Sequence, residues 1–337
     1  LPSPVPADFN DDKLKVLQAT QIERLIADHL TLKAKGRELV GLCPFHDDQR
    51  PSMTVVPSKQ IYKCFSCGAG GDAITFVMDY HHLSFFEALK YLAERAGIEL
   101  KPRARSGYPP GGSDDRPSVS KSDLVAANQF AADYFKVILR HPEHGASARA
   151  VLERRAVSPA MIEQFGLGAS ADKWDGLAIM VGRKGLPVEP FIAAGLLRAR
   201  ENGHGHYDAF RNRLMFPITD QLGRVVAFGA RRLNDADEPK YLNSADSPVF
   251  SKSGTLYALP QALAAIRQSQ TAIITEGYMD TIACHQAGVA NAIATLGTAL
   301  TPTNAKILSR LCRTVVLLFD GDEAGQRAAD RAVEILF

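Results

Sequence analysis

The sequence predicts a multidomain α/β chain. It should hold a small N-terminal ribbon of antiparallel sheet with helices, a mixed α+β middle, and a C-terminal parallel sheet with crossover helices. Three observations predict it. Two Cys/His pairs stand near the N-terminus, Cys43 with His46 and Cys64 with Cys67. The stretch "KPRARSGYPPGGSDDRPSVSKS" at 101–122 is rich in Pro, Gly and Ser and lacks periodicity, so it reads as a flexible linker. From 271 onward, short apolar runs alternate with helical patterns, the signature of a parallel sheet joined by crossover helices.

Each element follows in order. Leu14, Leu17, Ile22, Leu25 and Ile26 fall at largely helical spacing. After the cysteines, "DAITFVMDYHHLSFFEALKYLAERAGI" reads as one or two amphipathic helices. Residues 123–166 are helical in pattern. From about 174 to 260 the pattern is mixed, with "RLMFPITD" and "GRVVAFGARRL" as strands joined at "DQLGR" in a hairpin. The strands "TAIIT", "VANAIAT" and "TVVLLF" then alternate with the helices "YMDTIACHQAG", "PTNAKILSRL" and "EAGQRAADRAVEIL". The expected domains are 1–100, a linker at 101–122, 123–267 and 268–337.

A chain of 337 residues can build two or three proper cores. No apolar run approaches the ~18–20 residues that span a bilayer, so no membrane association is expected. The start "LPSPVPADFN" has no basic and apolar succession of a secretory signal. The chain starts without Met and stops at "AVEILF" inside a helix-like segment, which reads as a fragment. Charge is uneven: 11 basic residues face 13 acidic ones over 1–100, 23 face 17 over 101–267, and 5 face 7 over 268–337. A basic middle between mildly acidic ends suits a polyanion-binding groove beside a metal-collecting site. Five cysteines, three of them clustered with a histidine, suit a metal site in a reducing, intracellular compartment.

Cys43-x2-His46 and Cys64-x2-Cys67, 17 residues apart, supply four N/S ligands from two knuckles, the set that tetrahedral Zn2+ takes. With no coordination position left open, this one zinc is structural. "CGAGG" offers glycines for the tight turn. Arg50, Lys59, Lys63, Tyr62 and Phe65 interleave bases with aromatics, which suits single-stranded nucleic acid. Tyr62 and Phe65 could equally be the ribbon's small core.

The second concentration is acidic. The apolar run Val315–Phe319 reads as a buried strand, and it ends at Asp320 and Asp322. "TAIITEGYMD" delivers Glu276 at another strand end, with Asp280 four residues on at a helix start. Open parallel sheets bind ligands at the carboxyl ends of their strands. Residues i and i+2 on extended chain point to one side, so Asp320 and Asp322 are expected to face the same point. Gly321 and Gly277 are expected to let the chain turn sharply. Gathered carboxylates need cations, and hard oxygen ligands select Mg2+ or Mn2+, ions suited to phosphoryl transfer.

These residues resemble bacterial DNA primase of the DnaG type over nearly the whole chain outside the linker. "GLCPFH…YKCFSCGAGGDAITFVM" is similar to that family's zinc ribbon. "FRNRLMFPITD…GRVVAFGAR…PKYLNS" is similar to the basic subdomain of its RNA polymerase core. "TEGYMD" and "LLFDGDEAG" resemble its Toprim module, here truncated. The resemblance implies template-directed synthesis of short RNA primers on single-stranded DNA from ribonucleoside triphosphates, by two-metal nucleotidyl transfer. It makes Glu276, Asp280, Asp320 and Asp322 the metal-binding and catalytic acids, with Glu276 accepting the proton of the attacking 3′-hydroxyl. Arg231, Lys240, Asn243 and Lys252 match positions that face nucleotide and template; Arg155, Arg211 and Arg213 match more loosely. It also implies a replicative helicase, met through a C-terminal domain absent here, and single-stranded-DNA-binding protein as partners, in the cytoplasm at the replication fork. Ala209 stands where the family usually has arginine, and Ala230 and Ser253 where glycine is usual. The rival readings are a Toprim nuclease or topoisomerase, for which Tyr278 lies in the right segment, and a non-catalytic single-strand-binding module. Cys284 and Cys312 read as core, His81 and His82 have no ligand partners nearby in sequence, and nothing decides whether Trp174 is buried.

Overall fold

The computed structural model describes residues 7–81, 83, 85–100, 119–200, 205–297 and 299–337, with side chains from residue 12 onward. His82 and residues 101–118 of the expected linker lie outside the described residues. The chain divides into two compact units, Leu1–Asp114 and Asp115–Phe337.

Unit one runs α1 (Ala7–Ala19), α2 (Ile22–Ala27), β1 (Lys33–Lys35), β2 (Glu38–Gly41), β3 (Met53–Val56), β4 (Ile61–Cys64), β5 (Gly70–Gly71), α3 (Ala73–His81) and α4 (Phe85–Arg95). The strands form one antiparallel meander in chain order. The strand period of two decides its faces. On β4, Tyr62 and Cys64 are buried while Ile61 and Lys63 are exposed. Val55 pairs with Tyr62, so both point to the same side, where the Phe76 ring of α3 meets Tyr62 at 5.4 Å and 87°.

Unit two begins with α5 (Lys121–Arg140), which starts within the segment expected as linker. The cause is a capping box: the Ser120 hydroxyl accepts from the Asp123 N–H, and the Asp123 carboxylate accepts from the Ser120 N–H. There follow α6 (Ala146–Arg154), α7 (Pro159–Gln164), β6 (Gly168–Ser170), α8 (Gly176–Arg183), α9 (Glu189–Ala193), β7 (Leu197–Ala199), β8 (His206–Asp208), β9 (Arg213–Thr219), β10 (Val225–Arg232) and β11 (Tyr241–Asn243). The last part is α10 (Leu259–Ser269), β12 (Thr271–Thr275), α11 (Tyr278–Gln286), β13 (Ala292–Ala294), α12 (Pro302–Leu311), β14 (Thr314–Leu318) and α13 (Glu323–Leu336).

An antiparallel sheet, ordered β11-β10-β9-β6, forms the middle of the unit. The expected hairpin is there, with Asp220 accepting from the N–H groups of Leu222, Gly223 and Arg224. Both sheet faces are covered, which explains the unbroken apolar reading of β9 and β10. Met215, Phe228 and Ala230 pack toward α5, where Phe135 meets Phe228 edge-on at 5.3 Å. Leu214, Phe216 and Ile218 point the other way, into a core shared with Tyr257, Tyr278 and Ala294. Ala230 is wholly buried and keeps register with Met215 and Leu242, so alanine there leaves the strand regular.

The alternation from 271 onward yields a parallel sheet, ordered β13-β12-β14. Strand β14 differs from the expected buried strand. It lies at the edge of the described sheet, and Val316 and Leu318 are 43% and 52% exposed. Among the described residues no helix is long and apolar enough to cross a membrane.

Candidate metal centres and nucleic-acid surface

Strands β2 and β4 each run into a knuckle, and the sheet register sets the two knuckles side by side. One ligand atom from each of Cys43, His46, Cys64 and Cys67 falls within 4.8 Å of the others. Three sulfurs and one imidazole nitrogen at such spacing are the donor set of a zinc-binding site. Gly68, at φ +80°, carries the turn behind Cys67 where a side chain would be strained. The Cys64 sulfur accepts from the Ser66 and Cys67 N–H groups and lies 3.3 Å from the Ser52 hydroxyl. Burial pushes the Cys64 thiol up, but these donors outweigh it and bring it down to about 6. Burial pushes Cys43 up to about 12. A cation at the centre favours the thiolate form of every sulfur.

Asp48 was not singled out from the sequence, yet it builds the first knuckle. Its carboxylate accepts from the Cys43 N–H at 2.8 Å, the Ser52 hydroxyl at 2.6 Å and the Arg50 and Ser52 N–H groups. Its Oδ1 also stands 3.7 Å from His46 Nε2, while His46 Nδ1 faces the Cys64 sulfur at 4.0 Å. A carboxylate behind a ligating histidine helps to orient the ring. Asp48 sits two residues past His46, and that adjacency was the available signal. The aromatic question divides: Tyr62 is core at 1% exposure, whereas Phe65 is 78% exposed. Phe65, Ile61 and Lys63 stand exposed on and beside β4.

In unit two, Thr275 of β12 pairs with Leu318 of β14, so both strands end at one level. The acids emerge there together. The Asp320 N–H donates to Glu276 Oε1 at 2.8 Å, and Asp322 caps α13 by accepting from the Gly325 N–H at 2.8 Å. Burial, and then the charge of Asp320, hold the Asp280 carboxyl above the usual range, so these two acids already repel each other. Among the described residues only the Cys/His group converges within 4.8 Å.

The glycines act otherwise than expected. Gly277 is extended at φ −155°, a conformation open to any residue, and Gly321 is not among the glycines of left-handed φ. Around the acids and Tyr278, close approach falls to two others. A Cβ on Gly325 would stand 2.1 Å from the Asp320 carbonyl oxygen and 2.9 Å from Glu276 Oε1. A Cβ on Gly229 would stand 2.2 Å from the Tyr278 ring. Tyr278 is 4% exposed, stacks on Phe216 at 4.8 Å and donates its hydroxyl to Asn243 Oδ1 at 2.6 Å. Burial pushes that phenol well up, the opposite of an activated nucleophile.

The basic residues separate into solvent-facing side chains and framework. Arg155 is exposed and close enough to Asp280 to act on its carboxyl, and Arg155 and Arg231 both act on the Tyr241 phenol. Arg155 therefore stands beside Asp280, and Arg231 beside Tyr241. Lys240 is exposed with its Nζ 5.9 Å from the centre of the Tyr241 ring, and Lys252 is half-buried. Asn243 and Arg213 are engaged internally. Asn243 accepts from Tyr278 and donates to the Leu296 carbonyl at 2.7 Å. Arg213 is 5% exposed and donates to the Pro239 and Glu238 carbonyls.

Arg211 stands in a cavity of about 510 Å³ whose lining includes Trp174, Arg198, Tyr207, Ala209 and Leu242. Trp174 is 54% exposed and stacks on Tyr207 at 5.1 Å and 21°, with the Arg211 guanidinium 4.3 Å above the indole. Sequence reading left Trp174 undecided, because no local pattern tells an exposed platform from a core ring.

Family models match three consecutive parts of the chain: a CHC2 zinc finger at 10–107, the N-terminal domain of a DNA primase catalytic core at 134–263, and a Toprim-like module at 273–337. DNA primase from Halalkalibacterium halodurans is 40% identical over 326 residues, which is 96% of this chain and 52% of that protein. DNA primase from Streptomyces coelicolor is 42% identical, over 97% of this chain and 51% of that one. The chain thus spans about half the length of the curated relatives it matches. Among solved structures, the zinc-binding and RNA polymerase domains of Aquifex aeolicus primase match at 34% identity and TM-score 0.60, covering 96% of this chain and 76% of that one. A DnaG primase catalytic domain bound to single-stranded DNA matches at 36% identity and TM-score 0.58, over 64% and 66%.

Proposed function

The chain belongs to the DnaG-type DNA primase family, and on that premise we propose that it carries the zinc-bearing and polymerase parts of an enzyme that copies single-stranded DNA into short RNA primers from ribonucleoside triphosphates. The observation that carries this reading is the arrangement in unit two. Four acids leave adjacent parallel strands and the helices behind them, with Arg155 beside Asp280 and Arg231 beside the neighbouring Tyr241.

Asp280 and Asp320 fit a hard divalent ion, since oxygen ligands that repel each other without a cation are relieved by one, and Asp322, capping α13 through one oxygen, would add a third ligand. Bound Mg2+ or Mn2+ would lower the pKa of the attacking hydroxyl and neutralise charge on the transferring phosphoryl group. Glu276 has one oxygen held by the Asp320 N–H, which orients the carboxylate and leaves the other oxygen to accept the 3′-hydroxyl proton. Arg155 and Arg231 would hold the triphosphate by charge-assisted hydrogen bonds, with Lys240 and Lys252 as further phosphate contacts. Asn243 acts from behind, fixing Tyr278 at the start of the helix that carries Asp280.

The template would follow the cavity of Trp174, Tyr207 and Arg211, where bases stack and phosphates meet arginine. A solved relative of this unit is a catalytic domain bound to single-stranded DNA. In unit one, a single structural zinc holds the knuckles. Its outer face, with Phe65, Ile61 and Lys63, would help choose the start site. The domains at 1–100, 123–267 and 268–337, the helicase and single-stranded-DNA-binding protein as partners, and a cytoplasmic place at the fork belong to the same reading.

The test supplies the full-length gene product with single-stranded DNA, Mg2+ and labelled ribonucleotides, with Asp320→Ala as control. Short template-dependent RNA that vanishes in the variant is the expected result. DNA nicking without RNA would make the module that of a nuclease or topoisomerase. Binding without synthesis would leave only a single-strand-binding module.

A further inference from the structure

Two segments of unit two, 174–178 and 207–211, meet at Asp208, the last residue of β8. Its carboxylate accepts from the Leu177 N–H at 2.8 Å and the Ala178 N–H at 3.0 Å, in the first turn of α8. Its own N–H donates to the Trp174 carbonyl at 2.9 Å, and its carbonyl accepts from Arg211 Nη1 at 2.6 Å. Trp174 and Arg211 are the ring and the guanidinium of the exposed stack, and Tyr207, its third member, is the residue before Asp208. Asp208 itself is 6% exposed. The anchor lies beneath and the platform lies above.

The N-terminus of α8 depends on this residue. Asp175, in the capping position, makes no capping hydrogen bond and pairs with Arg200 at 2.7 Å instead. The first-turn N–H groups of a helix need an acceptor and favour an anion, and Asp208 supplies both from another strand. Asp175, Arg211 and the Tyr134 phenol are the other titratable groups near its carboxylate. The carboxylate holds the start of α8 at Leu177, three residues past Trp174, while the Asp208 backbone bonds Trp174 and Arg211 directly.

We propose that Asp208 is a positioning residue: it holds Trp174 and Arg211 in register as a shelf on which bases of a single-stranded template stack. This rests on the reading of the cavity as the template path. Stacking on a half-exposed indole requires that the ring already lie in place, since a freely turning ring loses rotamer freedom on every binding event.

Trp174 is the chain's single tryptophan, so its emission reports on the shelf alone. The measurement compares the whole chain with its Asp208→Asn and Arg211→Ala variants, free and titrated with oligothymidine. In free Asp208→Asn, Trp174 emission is expected to shift and its anisotropy to fall, with circular dichroism and zinc content unchanged. Its affinity for oligothymidine should drop by about tenfold, the equivalent of one lost stack. Wild-type emission and anisotropy in free Asp208→Asn would overturn the proposal, even if Arg211→Ala weakens binding. If oligothymidine neither quenches the parent nor binds more weakly to Arg211→Ala, the template reading falls, and the shelf with it. Should Asp208→Asn not fold, Asp208→Glu takes its place, with the charge kept and displaced by one methylene. Loss of cooperative melting in both variants would make Asp208 a folding residue and overturn the assignment.

Discussion

Replacing Gly229 by alanine should unseat Tyr278 and disturb the acidic site two residues upstream of it. The new Cβ would lie 2.2 Å from Tyr278 Cζ, 2.3 Å from its Oη and 2.6 Å from Cε2. Carbon atoms in contact rest about 3.5–4.0 Å apart, so the ring must retreat by more than about 1 Å. It has little room to do so, with Phe216 stacked at 4.8 Å and Tyr257 edge-on at 4.7 Å. Overpacking of this kind costs about 1–3 kcal/mol, and losing the buried hydroxyl bond to Asn243 adds about 1 kcal/mol. A loss of about 2–4 kcal/mol lowers the Tm of a unit this size by about 5–15 °C. Thermal melting of Gly229→Ala, alone and with Tyr278→Ala, checks it. In the Tyr278→Ala background the same change should cost less than about 0.5 kcal/mol, because the clashing ring is gone. A Gly229→Ala protein that melts with the parent, or an equal cost in both backgrounds, would refute the reasoning.

Four further predictions follow from other parts of the structure. Cys64→Ser should abolish stoichiometric zinc, whereas Asp48→Ala should keep the ion but bind it about 10–100-fold more weakly in a chelator competition. Asp322→Asn should keep the cap on α13 and lose Mg2+-dependent activity, while Asp322→Ala also loses about 1 kcal/mol of stability in denaturant melts. Arg213→Ala should lower the melting temperature and Arg211→Ala should lower oligonucleotide affinity instead, because the first side chain is buried and bonds the Pro239 carbonyl while the second is stacked in the cavity. Burial holds the Asp208 carboxyl up at about 6. A free aspartate titrates near ~3.9, so the folded state binds the proton more tightly, and stability should fall as pH rises between these values. That slope should be missing in Asp208→Asn.

The zinc ligands were legible in the sequence because ligand spacing is a local property of the chain: two residues between partners make a knuckle wherever it folds. The strands and helices after 271 were legible for the same reason, since a period of two or of 3.6 is written in consecutive residues. So was the placing of Glu276 and Asp320 at strand ends, which follows once the sheet is parallel. Other features depended on which distant residues meet. Arg211 and Arg213 are alike in sequence, two positions apart, yet one lies over an indole and the other is buried against the β10–β11 connection. Gly277 looked like the turn glycine, but the constraint fell on Gly325 and Gly229, whose neighbours come from 5 and 49 residues away. Trp174 and Asp208 took their roles from partners on other segments. The sequence by itself determined which chemistry is present and the order of the elements that carry it. The tertiary structure alone decided which charges are desolvated and engaged and which stay free to meet a ligand, because burial and close approach arise only when separate segments pack.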